Sequence, residues 1–301
     1  MEQGKQNIAS FHLAGVIPIA DQPRDFCMPW HDSMMPIAPN LLAVEGAVIN
    51  CATAGCETIW IVCHADTQPL IRHRIGDWIE DPVFLGRKNK FPSEARKQIP
   101  IFYVPIHPKD RDKRDCLGWS VLYGALTSYS ISKKLSKWII PDRYYVAFPY
   151  GVFDMQHVRK ARRKISNKNN FYFSYQGKTV KDNLHLSFTF SGEDFKVFRR
   201  ELRESEVTIY IKGTKEKVPV SERYDARYFS LDKVFKSAII GETDQIQEVD
   251  WFYDIGNWGE YCDFLSSEHR ASIKRPGFFK YKEWNPIGYE EEDDGDTGDE
   301  I

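Results

Sequence analysis

The fold is decided by three consecutive segments, which read LAGVIPIA at 13–20, LLAVEGAVINCATAGC at 41–56 and ETIWIVC at 57–63. The first and third contain short apolar runs typical of buried strands. In the second, apolar residues recur at three- and four-residue steps, which predicts a helix with Asn40 as its N-cap and Gly55 as the residue that ends it. Together they form a βαβ unit, and a right-handed crossover makes its two strands parallel.

Twenty residues separate the first strand from this helix, and they read DQPRDFCMPWHDSMMPIAPN at 21–40. A loop of this length is more than a connector. It has to lie over the carboxyl ends of the parallel strands, where open α/β sheets bind their ligands. Functional residues are therefore expected in this loop.

The rest of the chain shows two patterns of predicted secondary structure. Up to residue 154, strands and helices are expected to alternate, with a helix at 67–79, a strand at 99–106, a charged loop at 107–115, a helix at 116–135 with Asp115 near its cap, and a strand at 143–148. This order predicts a three-layer α/β/α fold with a mostly parallel sheet. After residue 155 the pattern is that of an α+β half, with helices at 155–165, 192–202, 230–239 and 257–267 and strands at 170–175, 183–190, 206–211 and 249–255.

These two patterns suggest how the chain is organised. We expect residues 1–154 to form a nucleotide-binding-like α/β half and residues 155–267 to form an α+β half of the same domain. Residues 268–289, rich in aromatic residues and proline, are expected to form an extended arm. Residues 290–301 are expected to be a disordered acidic tail.

Composition sets limits on the class of protein. The chain has 301 residues and is 42% hydrophobic, which is enough for a sizeable core. No apolar run approaches the roughly 20 residues of a membrane span, and the N-terminus lacks the layout of a signal peptide, so we expect a cytoplasmic protein with no membrane contact. The six cysteines are scattered without metal-binding spacing, and we expect reduced thiols.

Charge is unevenly distributed along the chain. The formal net charge is −2, but residues 290–301 carry eight acids and no base, so residues 1–289 carry a charge of +6. The tail either keeps the protein soluble or docks on a basic partner. The helix at 159–164 holds five cations, which could meet the acids of a protein partner, nucleic-acid phosphates or the tail itself. The aromatic strand that follows is more typical of a core than of a stacking platform, so we do not expect nucleic-acid binding.

Four strings, in order, resemble the sugar-1-phosphate nucleotidyltransferases, which join a nucleoside triphosphate to a sugar phosphate and release pyrophosphate. They are AGVIPIA at 14–20, SMMPIAPNLLAVEGAVINCATAGCETIWIVC at 33–63, LGWSVLYGAL at 117–126 and VDWFYDIGNWGEYCDF at 249–264. The resemblance covers residues 13–267 and implies the nucleotide-diphospho-sugar transferase fold. It also implies that a nucleotide and a sugar phosphate would bind in the cleft.

The phosphate-handling residues of that family are changed in this chain. Where the family has a loop of the form G-x-G-T-R, this chain has Ala20 and Asp21, then Gln22 and Pro23, then Arg24. Glycine lets a backbone approach phosphates closely, whereas proline removes a donor and aspartate repels the anion. His31 and Asp32 stand in place of the Pro-Lys that supplies a cation. Pro149 and Tyr150 correspond to the Gly-Asp that holds a metal ion.

Two features of the family remain. The resemblance implies that Asp254 would help to bind Mg²⁺ and that Gly118 would face the nucleobase. A single carboxylate seldom holds Mg²⁺, which takes carboxylates together with substrate phosphates. Asp154 is a second candidate ligand, although it can equally cap the helix that follows it.

A rebuilt site would use the polar residues expected at the carboxyl ends of the strands. Arg24, His31 and Asp32 are the candidates for catalysis, and His64 and Asp66 are candidates for ligand binding together with Ala20 and Asp21. The two histidines could instead hydrogen-bond the loop backbone. Two hypotheses follow: a catalytically impaired relative kept for binding a nucleotide, a sugar phosphate or a protein, which the missing glycines and lysine favour, and an active, divergent, Mg²⁺-dependent transferase.

Overall fold

The structure, a computed structural model, describes residues 11–276 except 25, 86–97, 137–138, 214–215, 220–221 and 239. Its strands are β1 (Leu13–Pro18), β2 (Pro36–Ala38), β3 (Leu41–Leu42), β4 (Thr58–Cys63), β5 (Trp78–Glu80), β6 (Gln98–Pro105), β7 (Arg143–Val146), β8 (Gly151–Val152), β9 (Phe171–Ser174), β10 (Phe188–Phe190), β11 (Gln245–Glu248) and β12 (Tyr253–Asp254). Its helices are α1 (Ala43–Ala54), α2 (Gln68–Ile75), α3 (Pro82–Leu85), α4 (Pro108–Lys113), α5 (Leu117–Leu135), α6 (Met155–Ile165), α7 (Gly192–Ser205), α8 (Leu231–Phe235) and α9 (Trp258–Ser266).

An eight-stranded sheet runs through this part of the chain in the order β11, β9, β10, β7, β1, β4, β6, β5. Strand β1 lies at its centre and pairs in parallel with β4 on one side and β7 on the other, and β4 pairs in parallel with β6. Strands β10 and β5 pair antiparallel with β7 and β6. The predicted α/β class with a mostly parallel sheet is thereby confirmed.

Two close contacts show how helices cover both faces of β1. A Cβ on Gly15 would lie 2.8 Å from the sulphur of Cys51 in α1, while a Cβ on Gly124 in α5 would lie 2.8 Å from Val16 Cγ1. Consecutive strand residues point to opposite faces of a sheet. Helices α1 and α5 therefore pack on opposite sides of β1, which gives the three layers.

The central βαβ unit forms as predicted, but its helix starts later. Asn40 is not the N-cap, because it adopts a positive φ of 56° in the turn between β2 and β3. Leu42 takes the cap position, and its amide donates to the Glu45 carboxylate at 2.8 Å. Gly55 ends the helix as predicted, with φ at 98°.

Several predicted elements differ from the structure, among them the strand at 249–255, of which only Tyr253–Asp254 forms a strand. Residues 78–80 leave the predicted helix, because Gly76 ends α2 with a positive φ and Trp78–Glu80 pairs with β6 as an edge strand. The charged loop at 107–115 contains α4, since His107 accepts from the amide of Lys109 and so caps a turn. Residues 206–211 form only isolated bridges, and in the range 183–190 only β10 is a strand.

The described residues bear on membrane spans and on the state of the cysteines. None of their helices is both long enough and apolar enough to cross a membrane. The described cysteines form no disulfide with one another, and Cys51, Cys56, Cys63 and Cys116 are buried. The predicted extended arm at 268–289 begins instead with a 3₁₀ helix, Glu268–Ser272. Its residues 277–289 and the acidic tail at 290–301 lie outside the described residues.

Candidate functional site

Polar side chains meet at the carboxyl ends of β1 and β4. Asp21 follows β1 after a short turn, His64 follows β4 directly, and Asp115 lies just before α5 on the same edge of the sheet. The long loop after β1 lies over this edge, so its Arg24 joins the group. The topology of parallel strands places ligands at this edge, and we call the region around Asp21, Arg24, His64 and Asp115 the cleft.

Arg24 is held by groups of the protein on several sides. Its Nη1 donates to Asp21 Oδ2 at 3.0 Å, and its guanidinium carbon lies 3.6 Å from the centroid of the Tyr150 ring. Its backbone amide donates to Asp32 Oδ2 at 2.7 Å. Only 16% of the Arg24 side chain is exposed. The one cation of the loop that matches the family's phosphate-binding segment is therefore already engaged.

Burial changes the ionisation of this pair. Burial raises the pKa of Asp21 to about 6, although the nearby charge of Arg24 opposes the rise. Burial alone would lower the pKa of Arg24, but the surrounding groups, Asp21 and Asp254 among them, raise it above its ordinary value. Arg24 thus stays charged, while Asp21 titrates close to neutral pH.

Both carboxylate oxygens of Asp254 are also used. Oδ2 accepts from His185 Nδ1 at 2.9 Å, and Oδ1 accepts from the amide of Gly256 at 2.9 Å. Burial would raise the pKa of Asp254, but the hydrogen bond and charge of His185 outweigh it and hold that pKa below its ordinary value. A Cβ on Gly256 would lie 2.9 Å from Arg24 Nε, so this glycine allows Arg24 to approach the Asp254 turn.

A histidine–aspartate pair forms the other side of the cleft. His64 Nε2 donates to Asp115 Oδ1 at 2.7 Å, and Gln22 Nε2 donates to Asp115 Oδ2 at 2.8 Å. Both members of the pair are buried, with side-chain exposures of 7% and 4%. Arg227 and Arg111 approach the same carboxylate at 3.9 and 4.0 Å. Asp115 is thus occupied with His64 and Gln22, while Cys116 takes the cap position of α5.

The remaining residues predicted from sequence lie in varied surroundings. Ala20 is fully buried, and its carbonyl accepts from the Ser120 hydroxyl. His31 caps a short 3₁₀ turn (Asp32–Met34), bonding to Ser33 with its Nδ1, and burial lowers its pKa. Asp66 is largely exposed and forms an ion pair with Arg111 at 3.6 Å.

Two further candidates contact protein groups. Gly118 faces α8, since a Cβ there would lie 2.6 Å from Val234 Cγ2. Asp154 accepts from the amide of Gln156 at 2.9 Å and so caps α6. Asp25, also in the long loop, lies outside the described residues.

The described carboxylates do not provide the donor set that Mg²⁺ takes. Among the residues the structure covers, no group of three or more His, Cys, Asp and Glu side chains is arranged to hold a metal ion. Mg²⁺ requires oxygen ligands in octahedral array. Asp254 already accepts two hydrogen bonds, and the neighbouring position after β7 is Tyr150, a buried phenol. We therefore derive no chemical step through a metal.

Sequence reasoning missed three residues of the cleft. Tyr150 carries Arg24 on its ring, His185 binds Asp254, and Asp115 binds His64. Asp115 was predicted to lie near a helix cap, a common position for aspartate. His185 was predicted to lie in a strand. For Tyr150 the signal was its match to the metal-binding position that the resemblance implied, and for Asp115 and His185 it was that they are polar residues beside apolar runs.

Comparisons with known proteins bear on the fold alone. No family model matches the chain, and no curated protein matches it. A solved structure described as a glucose-1-phosphate thymidylyltransferase from Bacillus anthracis is similar at a TM-score of 0.53 and 9% identity, covering 89% of this chain and 98% of that one. A UDP-glucose pyrophosphorylase from Acinetobacter baumanii is similar at a TM-score of 0.48 and 12% identity, over 85% and 92% of the two chains. The chain has the fold of the nucleotide-diphospho-sugar transferases, as its resemblance to the sugar-1-phosphate nucleotidyltransferases implied.

Proposed function

We propose that this protein binds a nucleotide, a sugar phosphate or a protein partner in the cleft of a nucleotidyltransferase fold and does not transfer a nucleotidyl group. The observation that carries the proposal is the engagement of Arg24 by Asp21 and Tyr150. To bind a triphosphate, this guanidinium would have to exchange a buried carboxylate for the ligand. Nucleotidyl transfer depends chiefly on charge stabilisation, so a cleft that neutralises its own cation is poorly suited to it.

The state of Asp254 supports the same conclusion. Its two oxygens are taken by His185 and by the amide of Gly256, so a metal ion would have to displace hydrogen bonds that lower its pKa. The hydroxyl and amide groups of such a ligand fit the cleft better than its phosphates do, because they can join the existing carboxylate network as donors. The ligand class is supported by the similar solved structure named as a glucose-1-phosphate thymidylyltransferase.

A thermal-shift panel of nucleotides and sugar phosphates tests the binding proposal. A ligand present at 100 times its Kd adds about 2.7 kcal/mol to the free energy of unfolding, which is a measurable shift. We expect His64→Gln to abolish the shift and His73→Gln, on the exposed side of α2, to preserve it. A shift that both variants preserve would place the ligand elsewhere. If no compound shifts the wild-type protein, the small-molecule part of the proposal is wrong and a protein partner remains.

One observation favours a second candidate, an active and divergent transferase. Asp254 and Arg24 lie close enough for the carboxylate to raise the pKa of the guanidinium, so an acid and a cation do share the cleft. Pyrophosphate release measured over a panel of triphosphates and sugar phosphates with Mg²⁺ separates the two candidates. Turnover that is abolished by Asp254→Asn and kept by Asp263→Asn, on the exposed face of α9, would establish the transferase.

A further inference from the structure

Helix α6 presents one face to the protein and a basic face to solvent. Val158, Ala161 and Ile165 are buried, at the three- and four-residue spacing of an inward stripe. Arg162 also serves the interior. Its Nη1 donates to the carbonyls of Ala52 and Thr53 at 3.0 Å each, and its Nη2 donates to Asp81 at 2.7 Å. This arginine therefore anchors α6 to the end of α1.

Four other cations of α6 project outward, and we call them the cation stripe: Arg159, Lys160, Arg163 and Lys164. They form two rows at a spacing of four residues, so neighbouring charges in each row lie one helical turn apart. Among the described residues, no carboxylate forms an ion pair with any of the four.

Three acids that contact this helix are already engaged. Asp154 caps its first turn, Asp81 binds Arg162, and Asp250 lies 3.1 Å from His157 Nε2. Like charges repeated over two turns repel one another and build a positive potential that attracts an anionic partner. The cation stripe is therefore a surface that requires acids from elsewhere.

The described chain ends beside this helix. Ile273 is buried and lines a small cavity together with Met155, the first residue of α6. Residues 277–289 then separate the described chain from the acidic segment at 290–301. Thirteen extended residues reach up to about 45 Å. Helix α6, with eleven residues, is about 16 Å long. The acidic segment can therefore reach every residue of the cation stripe.

We propose that the acidic segment at 290–301 docks on the cation stripe of α6. The segment brings eight carboxylates and no base to four cations without ionic partners in the described chain. Because it is tethered beside the helix, it acts at a high effective concentration, and a free polyanion has to compete with it. The contact is between exposed charges, so salt screens it beyond about 8 Å.

Zero-length carbodiimide cross-linking of the full chain, followed by mass spectrometry, tests the contact. At low salt, we expect carboxylates of residues 290–300 to link to Lys160 and Lys164 at least fivefold more often than to Lys133 and Lys134, exposed lysines at the end of α5. The links should occur within monomers and disappear at 0.5 M salt. Equal yields at the two lysine pairs, or links found only in dimers, would overturn the proposal.

Matched variants make the test specific. Arg159→Gln with Arg163→Gln leaves both reporter lysines in place but removes half of the stripe, and we expect the link yield to fall severalfold. Arg200→Gln with Arg203→Gln, on the exposed face of α7, should leave the yield unchanged. The proposal is wrong if the tail does not link to the cation stripe and if the α6 variant, but not the α7 variant, loses binding to a single-stranded oligonucleotide. The cation stripe would then bind nucleic acid.

Discussion

The guanidinium of Arg24 stacks on the ring of Tyr150 at 3.6 Å while it donates to Asp21 at 3.0 Å. The resemblance to the sugar-1-phosphate nucleotidyltransferases implied a metal-binding acid at Tyr150 and a phosphate-binding loop at Asp21. The two side chains present instead act together, because the phenol supports the cation and the carboxylate neutralises it. The cation of this loop is thereby bound by side chains of the protein itself.

We predict that Arg24→Ala destabilises the fold by about 3 kcal/mol, because it removes one partner of a buried ion pair and leaves Asp21 in a desolvated place. Urea unfolding at pH 7.5 measures the change. Arg72→Ala, which breaks the exposed Arg72–Asp77 pair, is the control and should change stability little. Equal effects of the two variants would mean that Arg24 is not held as described.

The stability of the protein should depend on pH through Asp21. Its pKa is about 6 in the folded protein and 3.8 in the unfolded chain, so the folded state binds the proton more tightly. The stabilisation from this group is full below pH 3.8 and is lost as the pH rises through 6. The Asp21→Asn variant has no such titrating group. Its free energy of unfolding, relative to that of wild type, should therefore increase by up to about 3 kcal/mol between pH 4 and pH 7.

Unfolding curves of wild type and Asp21→Asn at several pH values provide this measurement. The other titrating groups cancel in the difference between the two proteins. A difference that stays constant over the range would show that Asp21 has an ordinary pKa.

Gly118→Ala should destabilise the protein by about 1–3 kcal/mol, because the new methyl group would lie 2.6 Å from Val234 Cγ2. Val234→Ala creates space at the same contact, so the double variant should recover much of the loss contributed by Gly118→Ala. Chemical unfolding of the two single variants and the double variant measures the coupling. Strictly additive effects would show that Gly118 does not pack against α8.

The two adjacent arginines of α6 should respond differently to substitution. Arg162→Gln deprives the buried Asp81 of its guanidinium and the end of α1 of two hydrogen bonds, so we expect a loss of about 3 kcal/mol. Arg163→Gln changes only an exposed residue and should be nearly neutral. Thermal and urea unfolding distinguish them, and similar losses would contradict the anchoring role of Arg162.

The sequence predicted the scaffold because its signals are local. The apolar runs of β1 and β4, the helical spacing in α1 and the glycine at 55 each reflect short-range geometry, and the three-layer sheet follows from their order. The errors arise where structure depends on contacts that are distant in sequence. A short edge strand at Trp78–Glu80 exists only through pairing with β6, which no window of sequence around it reveals.

The cleft was less predictable, because its partners are distant in sequence. The side chains from other elements that engage Arg24, Asp254 and His64 lie 126, 69 and 51 positions away in the sequence; they are Tyr150, His185 and Asp115. Strand order predicted that Arg24 and His64 lie at the carboxyl edge of the sheet, whereas Asp254 was a candidate only through the family resemblance. The sequence could not show that each would find a partner there, since side-chain pairing depends on the tertiary packing of the loop.

Titration of UTP into the wild-type protein and into Asp21→Asn, followed by calorimetry, tests most directly whether Asp21 keeps Arg24 from ligand phosphates. Asp21→Asn frees the guanidinium, so we predict about tenfold tighter binding, or 1.4 kcal/mol, than in wild type. Adding Arg24→Gln should cancel this gain. If the wild-type protein binds UTP as tightly as Asp21→Asn and Arg24→Gln alone abolishes that binding, then Arg24 already serves a phosphate and the cleft is not closed by its own charges.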